Sequence, residues 1–143
     1  MHLHCNEDPV DLIKHSAKEL IDHAASMNFD VISITCHNKV VYSKGLEEYA
    51  NEKGILLIPG IELDIEGRHV LLYNFTQEEA DKIKTLNDLR LLKRKDQLVI
   101  APHPYYVHLN PLDPRQISLF SKLEKNIDVF DGVEFSHLYT KQL

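Results

Sequence analysis

No stretch of the 143-residue sequence approaches the ~18 consecutive apolar residues that a membrane-spanning helix needs. No charged-then-apolar leader opens it either, so the expectation is a cytoplasmic protein with no membrane partner. Cysteine is scarce. Cys5 and Cys36 are too few for a disulfide framework, and both stand beside histidines, as free thiols of a reducing compartment would. An excess of positive charge is also lacking: 16 Lys and Arg against 22 Asp and Glu leave a net charge of −6, which excludes an extensive nucleic-acid surface built from clustered cations. Low-complexity segments and internal repeats are absent. The remainder is ordinary, 43% hydrophobic and 27% charged, and a single domain over residues 1–143 is the expectation.

What is there in excess is histidine, at nine residues. His2 and His4 are two positions apart, so on an extended segment both imidazoles project from one face and could share a metal ion. Further residues of ligand type follow at or just past the ends of strand-like runs: His37, Glu62, His69, His103 and His137. Each run is apolar and β-branched, as in a buried strand, and most are separated by amphipathic stretches with helix signals. A helix is expected over residues 8–27, with Asp8 at its N-cap and Pro9 at its first position. A short one follows over 45–53, stopped by Gly54. A long one runs over 76–95 from the capping box that opens at Thr76, ending in a solvated basic run of Arg90, Lys93, Arg94 and Lys95. Another opens at Asp113. Strands are expected at 30–35, 55–58, 98–101 and 131–137, with a hairpin whose tip is Glu66-Gly67-Arg68 bringing Glu62 toward His69. The 105–111 loop, with His108, is long and aromatic enough to face a substrate. His15 and His23 read as solvated helix histidines.

Strand and helix in alternation imply parallel pairing, with ligands gathered at the carboxyl ends of the strands. Histidine with carboxylate at shared positions suits Zn, Mn or Fe, and a carboxylate such as Glu62 can bridge two ions. Such clusters generate hydroxide from bound water and clamp phosphate oxygens.

The ordered motifs resemble those of the PHP domain, the polymerase and histidinol phosphatase superfamily. His2-Leu3-His4 is similar to its first motif, Ile32-Ser33-Ile34-Thr35-Cys36-His37-Asn38 to its second and Pro59-Gly60-Ile61-Glu62 to its third; His69-Val70-Leu71 and Ala101-Pro102-His103-Pro104 follow in family order. The resemblance implies a distorted (β/α)7 barrel, incomplete at the C-terminus here, because the motifs cover about two thirds of a barrel that usually exceeds ~200 residues. The family's closing Asp-x-His is not among these residues. It further implies up to three divalent transition-metal ions. His2, His4 and Glu62 would hold the first, Glu62, His69 and His103 the second, and His37 would belong to the third. Asp8 is taken as a further ligand with Glu7 as the alternative, since the family's Asp stands five residues after the second histidine. Cys36, where the family has Asp, is either a buried thiol or a ligand, and His137 either a rim residue or a ligand.

The implied activity is phosphoesterase, hydrolysing a small phosphorylated substrate or a nucleotide-type phosphodiester with metal-bound hydroxide. Glu62 and His37 are the catalytic candidates, and Lys39 and Arg68 the phosphate-binding ones. Two other functions fit the same residues: a non-catalytic metal-binding or regulatory module, and a metal-dependent C–N hydrolase, although the lysine bridge common in the latter has no counterpart here. An unclosed barrel edge would also favour a homo-oligomer.

Overall fold

The computed structural model describes residues 2–103 and 125–134. Among them four α-helices and five strands follow in the order α1 Ala17–Ser26, β1 Val31–Ile34, α2 Lys44–Glu52, β2 Leu56–Ile65, β3 Arg68–Tyr73, α3 Gln77–Lys82, α4 Leu86–Leu92, β4 Leu98–Ala101 and β5 Gly132–Val133, with a 3₁₀ turn at Ile127–Val129 before β5. The strands form one sheet in sequence order, β1-β2-β3-β4-β5. The β1–β2 and β4–β5 pairs are parallel, whereas β2–β3 and β3–β4 are antiparallel.

This mixed, open sheet overturns the expected (β/α)7 barrel: β1 and β5 are its two edges among the described residues, and no ladder joins them. The reason lies in β2. Pro59 and Gly60, just beyond the strand expected at 55–58, continue a ten-residue strand. Its first half pairs in parallel with β1, Ile34 opposite Pro59, and its second half in antiparallel with β3, Gly60 opposite Tyr73. Pro59 has no N–H to give, but its carbonyl accepts from Asn74 N. Gly60 is required because a Cβ there would overlap Ser33 Oγ on β1. The hairpin that follows is as expected, with positive φ at both Glu66 and Gly67, as a type I′ turn demands.

Two helices also differ from their expected spans. The segment before Ala17 is not helical, because Ser16 and Glu19 form the capping box that starts α1. Upstream of it Val10 and Leu12 are exposed, so no apolar face supports a longer helix. The 76–95 stretch divides into α3 and α4, each with its own capping box, Thr76 with Glu79 and Thr85 with Asp88. The second box gives the chain a new start after Ile83. By contrast α2 ends as anticipated, with Gly54 at φ 76 following its last turn.

Strand alternation sorts the side chains. Ile32, Ile34 and Leu57 pack under α1 and α2 with Ala17, Ile21, Ala24 and Ala50; Ile61, Leu63, Val70, Leu72 and Val99 pack under α3 and α4 with Ala80, Ile83 and Leu89. The alternate positions, Ser33 on β1 with Thr35 and His37 just past it, Gly60 and Glu62 along β2, His69 and Leu71 along β3, turn to the opposite face. Three cations of the basic run are not simply solvated but paired: Arg90 with Asp128, Lys93 with Asp131 and Arg94 with Glu79. The first two pin the 3₁₀ turn and β5 to α4. No helix among the described residues is long and apolar enough to cross a membrane.

Candidate metal centre

The centre is built on Glu62, whose carboxylate is 1% exposed in the middle of β2. Among the described residues five imidazoles surround it, and the topology explains how each arrives. His2 and His4 sit on the extended N-terminal segment that bonds to the end of β1, where Thr35 N donates to Leu3 O and Leu3 N to Thr35 Oγ1. His37 lies just past β1 and bridges to Glu62 through the backbone. Because β3 runs antiparallel, its first turn of chain is at this rim, so His69 comes from a strand start and not from a strand end. His103 follows β4 in a left-handed backbone conformation, φ 28, uncommon for a residue with a side chain.

The two oxygens of Glu62 face different rings. Oε2 lies 3.0 Å from His2 Nε2, 3.2 Å from His4 Nε2 and 3.2 Å from His37 Nε2. Oε1 lies 2.9 Å from His69 Nδ1 and 3.4 Å from His103 Nε2. Neighbouring ring centroids around the cluster are 4.6 to 5.9 Å apart. Burial opposes ionisation of Glu62, but the hydrogen bonds from His103, His2, His4 and His69 outweigh it and hold the carboxyl far below the usual range. Burial likewise works to lower His4, yet its bonds to Glu62 and Asp8 raise it to about 9. His69 is raised by its bond to Glu62, against burial.

A neutral imidazole nitrogen without a proton and a carboxylate oxygen are both acceptors and repel unless a proton or a cation lies between them. His2, His4 and His37 each face a carboxylate at both ring nitrogens, and a ring with a single proton can satisfy only one of the two; a cation on the Glu62 side satisfies the other, so the donor set fits metal. The spacing agrees: two ligands held at ~2.0–2.1 Å by one tetrahedral ion stand ~3.3 Å apart, close to the 3.0, 3.2 and 3.2 Å seen at Oε2. Among the described residues three groups could hold an ion, each with its ligand atoms within 4.8 Å of one another: His2, His4 and Glu62; His37, Glu62 and His69; His4, Asp8 and His37. The first matches the sequence expectation. In the second His37 stands where His103 was expected, with His103 further out on the same oxygen.

Asp8 lies behind the cluster. Its Oδ2 is 2.6 Å from His4 Nδ1 and 3.1 Å from His37 Nδ1, and it also accepts from His37 N; Oδ1 accepts from the backbone N–H groups of Val10 and Asp11. These donors outweigh the effect of burial and hold its pKa far down. A neutral ring has one lone pair, so His4 and His37 ligate either beside Asp8 through Nδ1 or beside Glu62 through Nε2. With its oxygens already taken by backbone donors, Asp8 fits the role of acceptor for the Nδ1 protons, which leaves both Nε2 atoms to the Glu62 side. Asp8 thus serves the site from a turn and not from a helix cap.

Glu7, the alternative to Asp8, points away and pairs with Lys39 at 2.9 Å. Lys39 is thereby occupied, and Arg68 donates to the carbonyl of Gly67 at the hairpin tip. Cys36 is fully buried on the helix-covered face, 3.6 Å from Cys5 Sγ, and burial pushes its thiol to about 12, so it is an inert core thiol turned away from the imidazoles. His15 Nε2 lies 3.0 Å from His4 O, behind the centre. His137, His108, the 105–111 loop and the helix expected at Asp113 lie outside the described residues.

One residue escaped sequence reasoning. Glu134, just past β5, stands with Oε1 3.2 Å from His2 Nδ1 and Oε2 accepting from His103 N at 3.1 Å. It falls within the strand expected at 131–137; its signal is its place, a carboxylate following β5 as His37 follows β1. No protein-family model matches this chain, and no curated protein does so.

Proposed function

We propose that the chain is a metal-dependent phosphoesterase of the kind its ordered histidine motifs resemble, acting on a small phosphate ester or a nucleotide-type phosphodiester with Zn, Mn or Fe. The observation that carries the reading is the division of Glu62: each oxygen of one buried carboxylate faces its own imidazoles, the arrangement a carboxylate needs to bridge two cations. Divalent ions so placed make water acidic near neutrality and offset charge on phosphoryl oxygens. The residues of the chain do the rest. Glu62 sets the separation of the two ligand groups, His2, His4 and His37 present Nε2 on one side, and His69 presents Nδ1 on the other. Asp8 keeps the protons of His4 and His37 on the far nitrogens, so that the near ones carry lone pairs. Lys39, two residues past His37, is a candidate for a phosphate contact and would have to exchange Glu7 for the substrate.

That exchange favours a second reading, a metal-binding module without turnover, because Lys39 is already paired. Metal analysis of protein prepared without chelator, beside phosphate release from a simple aryl phosphate and an aryl phosphodiester, separates the two. Metal with turnover supports the phosphoesterase, metal without turnover the module, and protein that takes up no Zn or Mn contradicts both.

A further inference from the structure

We propose that Glu134 is a positioning residue for the metal centre, fixing His2 through its ring and His103 through its backbone. The inference rests on the metal reading above and adds a residue that the ordered motifs do not contain. Glu134 spans the widest sequence separation in the site. It brings a segment beside β1 together with one after β5, although the sheet edges themselves share no ladder.

The chemistry of the two contacts differs. An ionised carboxylate only accepts, so opposite His2 Nδ1 it calls for the proton on that nitrogen. The lone pair then sits on Nε2, the atom 3.0 Å from Glu62 Oε2. The second oxygen takes the backbone N–H of His103, a residue whose positive φ is sparsely populated for side-chain-bearing residues and needs fixing from outside. Glu134 therefore acts on both sides of Glu62, through His2 at Oε2 and through His103 at Oε1. Asp8 does the same for the pair His4 and His37. In this arrangement two outer carboxylates orient four of the five histidines, and the inner carboxylate receives them.

Gln is the discriminating replacement, since it keeps the shape and one acceptor oxygen but presents an NH₂ where the other oxygen was. In one orientation the NH₂ faces His2 Nδ1, drives the ring proton to Nε2 and removes the lone pair from the metal side. In the other it faces the N–H of His103 and releases that backbone. Either way, zinc titration of Glu134→Gln should give an affinity about 10–100-fold weaker than wild type, while Glu78→Gln, on exposed α3, leaves it unchanged. The wild type supplies an independent readout even if the variant does not fold: in zinc-loaded protein, ¹⁵N spectra of the imidazoles should show His2 protonated at Nδ1 and ligating through Nε2. A folded Glu134→Gln that binds zinc within about twofold of wild type overturns the inference and leaves the metal reading intact, as does a wild-type His2 without a proton on Nδ1. Wild type that takes up no zinc overturns both.

Discussion

Glu62 and His69 are not partners across the β2–β3 ladder, where Glu62 stands opposite Leu71 and His69 opposite Asp64, yet Oε1 and Nδ1 are 2.9 Å apart. They are diagonal neighbours on one face of an antiparallel pair, within reach of long side chains. The type I′ turn at Glu66-Gly67 sets that register, and a slip of one residue would send His69 to the helix side. The candidate metal centre is therefore tied to the hairpin, and the local geometry of the sheet decides where its side chains point.

The carboxylate behind the rings should matter nearly as much as the one among them. Asp8→Asn keeps the size but offers an amide, so one of the Nδ1 protons of His4 and His37 loses its acceptor. We expect zinc affinity to fall by about 10–100-fold with the fold retained. Calorimetric titration together with far-UV circular dichroism checks both halves of the statement.

Proton and metal compete for His4. Its folded pKa of about 9 lies above its ordinary value of 6.5, so in the metal-free protein its bonds to Glu62 and Asp8 stabilise fully below 6.5 and are lost as the pH rises through about 9. Metal must displace a proton from Nε2 in that window. Zinc affinity should accordingly climb with pH, by up to about tenfold per unit for each proton released, and thermal stability of the metal-free protein should decline over the same interval. Titrations and melts in matched buffers across that range test the sign.

Gly60 should be intolerant of a side chain. A Cβ there runs into Ser33 Oγ and crowds Thr35 Cγ2 and Ile34 O, with Glu62 two residues further on the same face. Gly60→Ala should cost about 1–3 kcal/mol of stability from overpacking and weaken metal binding by shifting Glu62. Among the described residues Ser33 Oγ is buried without a hydrogen-bond partner, so Ser33→Ala alone should be close to neutral. Denaturant melts of the two single variants provide the comparison.

Much of the centre was legible because ligands carry chemistry in their identity. His2, His4, His37, Glu62, His69 and His103 all meet, and the Glu66-Gly67 turn could be read from glycine and the flanking alternation. The architecture was less legible. Pro59-Gly60 looks like a turn, and only the parallel pairing on one side with antiparallel pairing on the other makes it a strand interior. The periodic apolar positions before Ala17 suggested helix, but nothing in the sequence says that Val10 and Leu12 meet no core. Thr85 with Asp88 is a second capping box inside a helical pattern, and a box is easily passed over when the pattern already has a start. Glu134 was missed because its partners, residues 2 and 103, are distant in sequence and only the folded sheet assembles them.

Whether Glu62 joins two groups of imidazoles around bound cations is decided by Glu62→Gln. Two cations held close together repel strongly unless an anion lies between them. Elemental analysis of wild type, Glu62→Gln and the surface control Glu78→Gln, prepared in parallel and checked for folding, gives the answer. Glu62→Gln should lose at least one metal equivalent per chain while Glu78→Gln matches wild type. Equal metal content in all three proteins would contradict it.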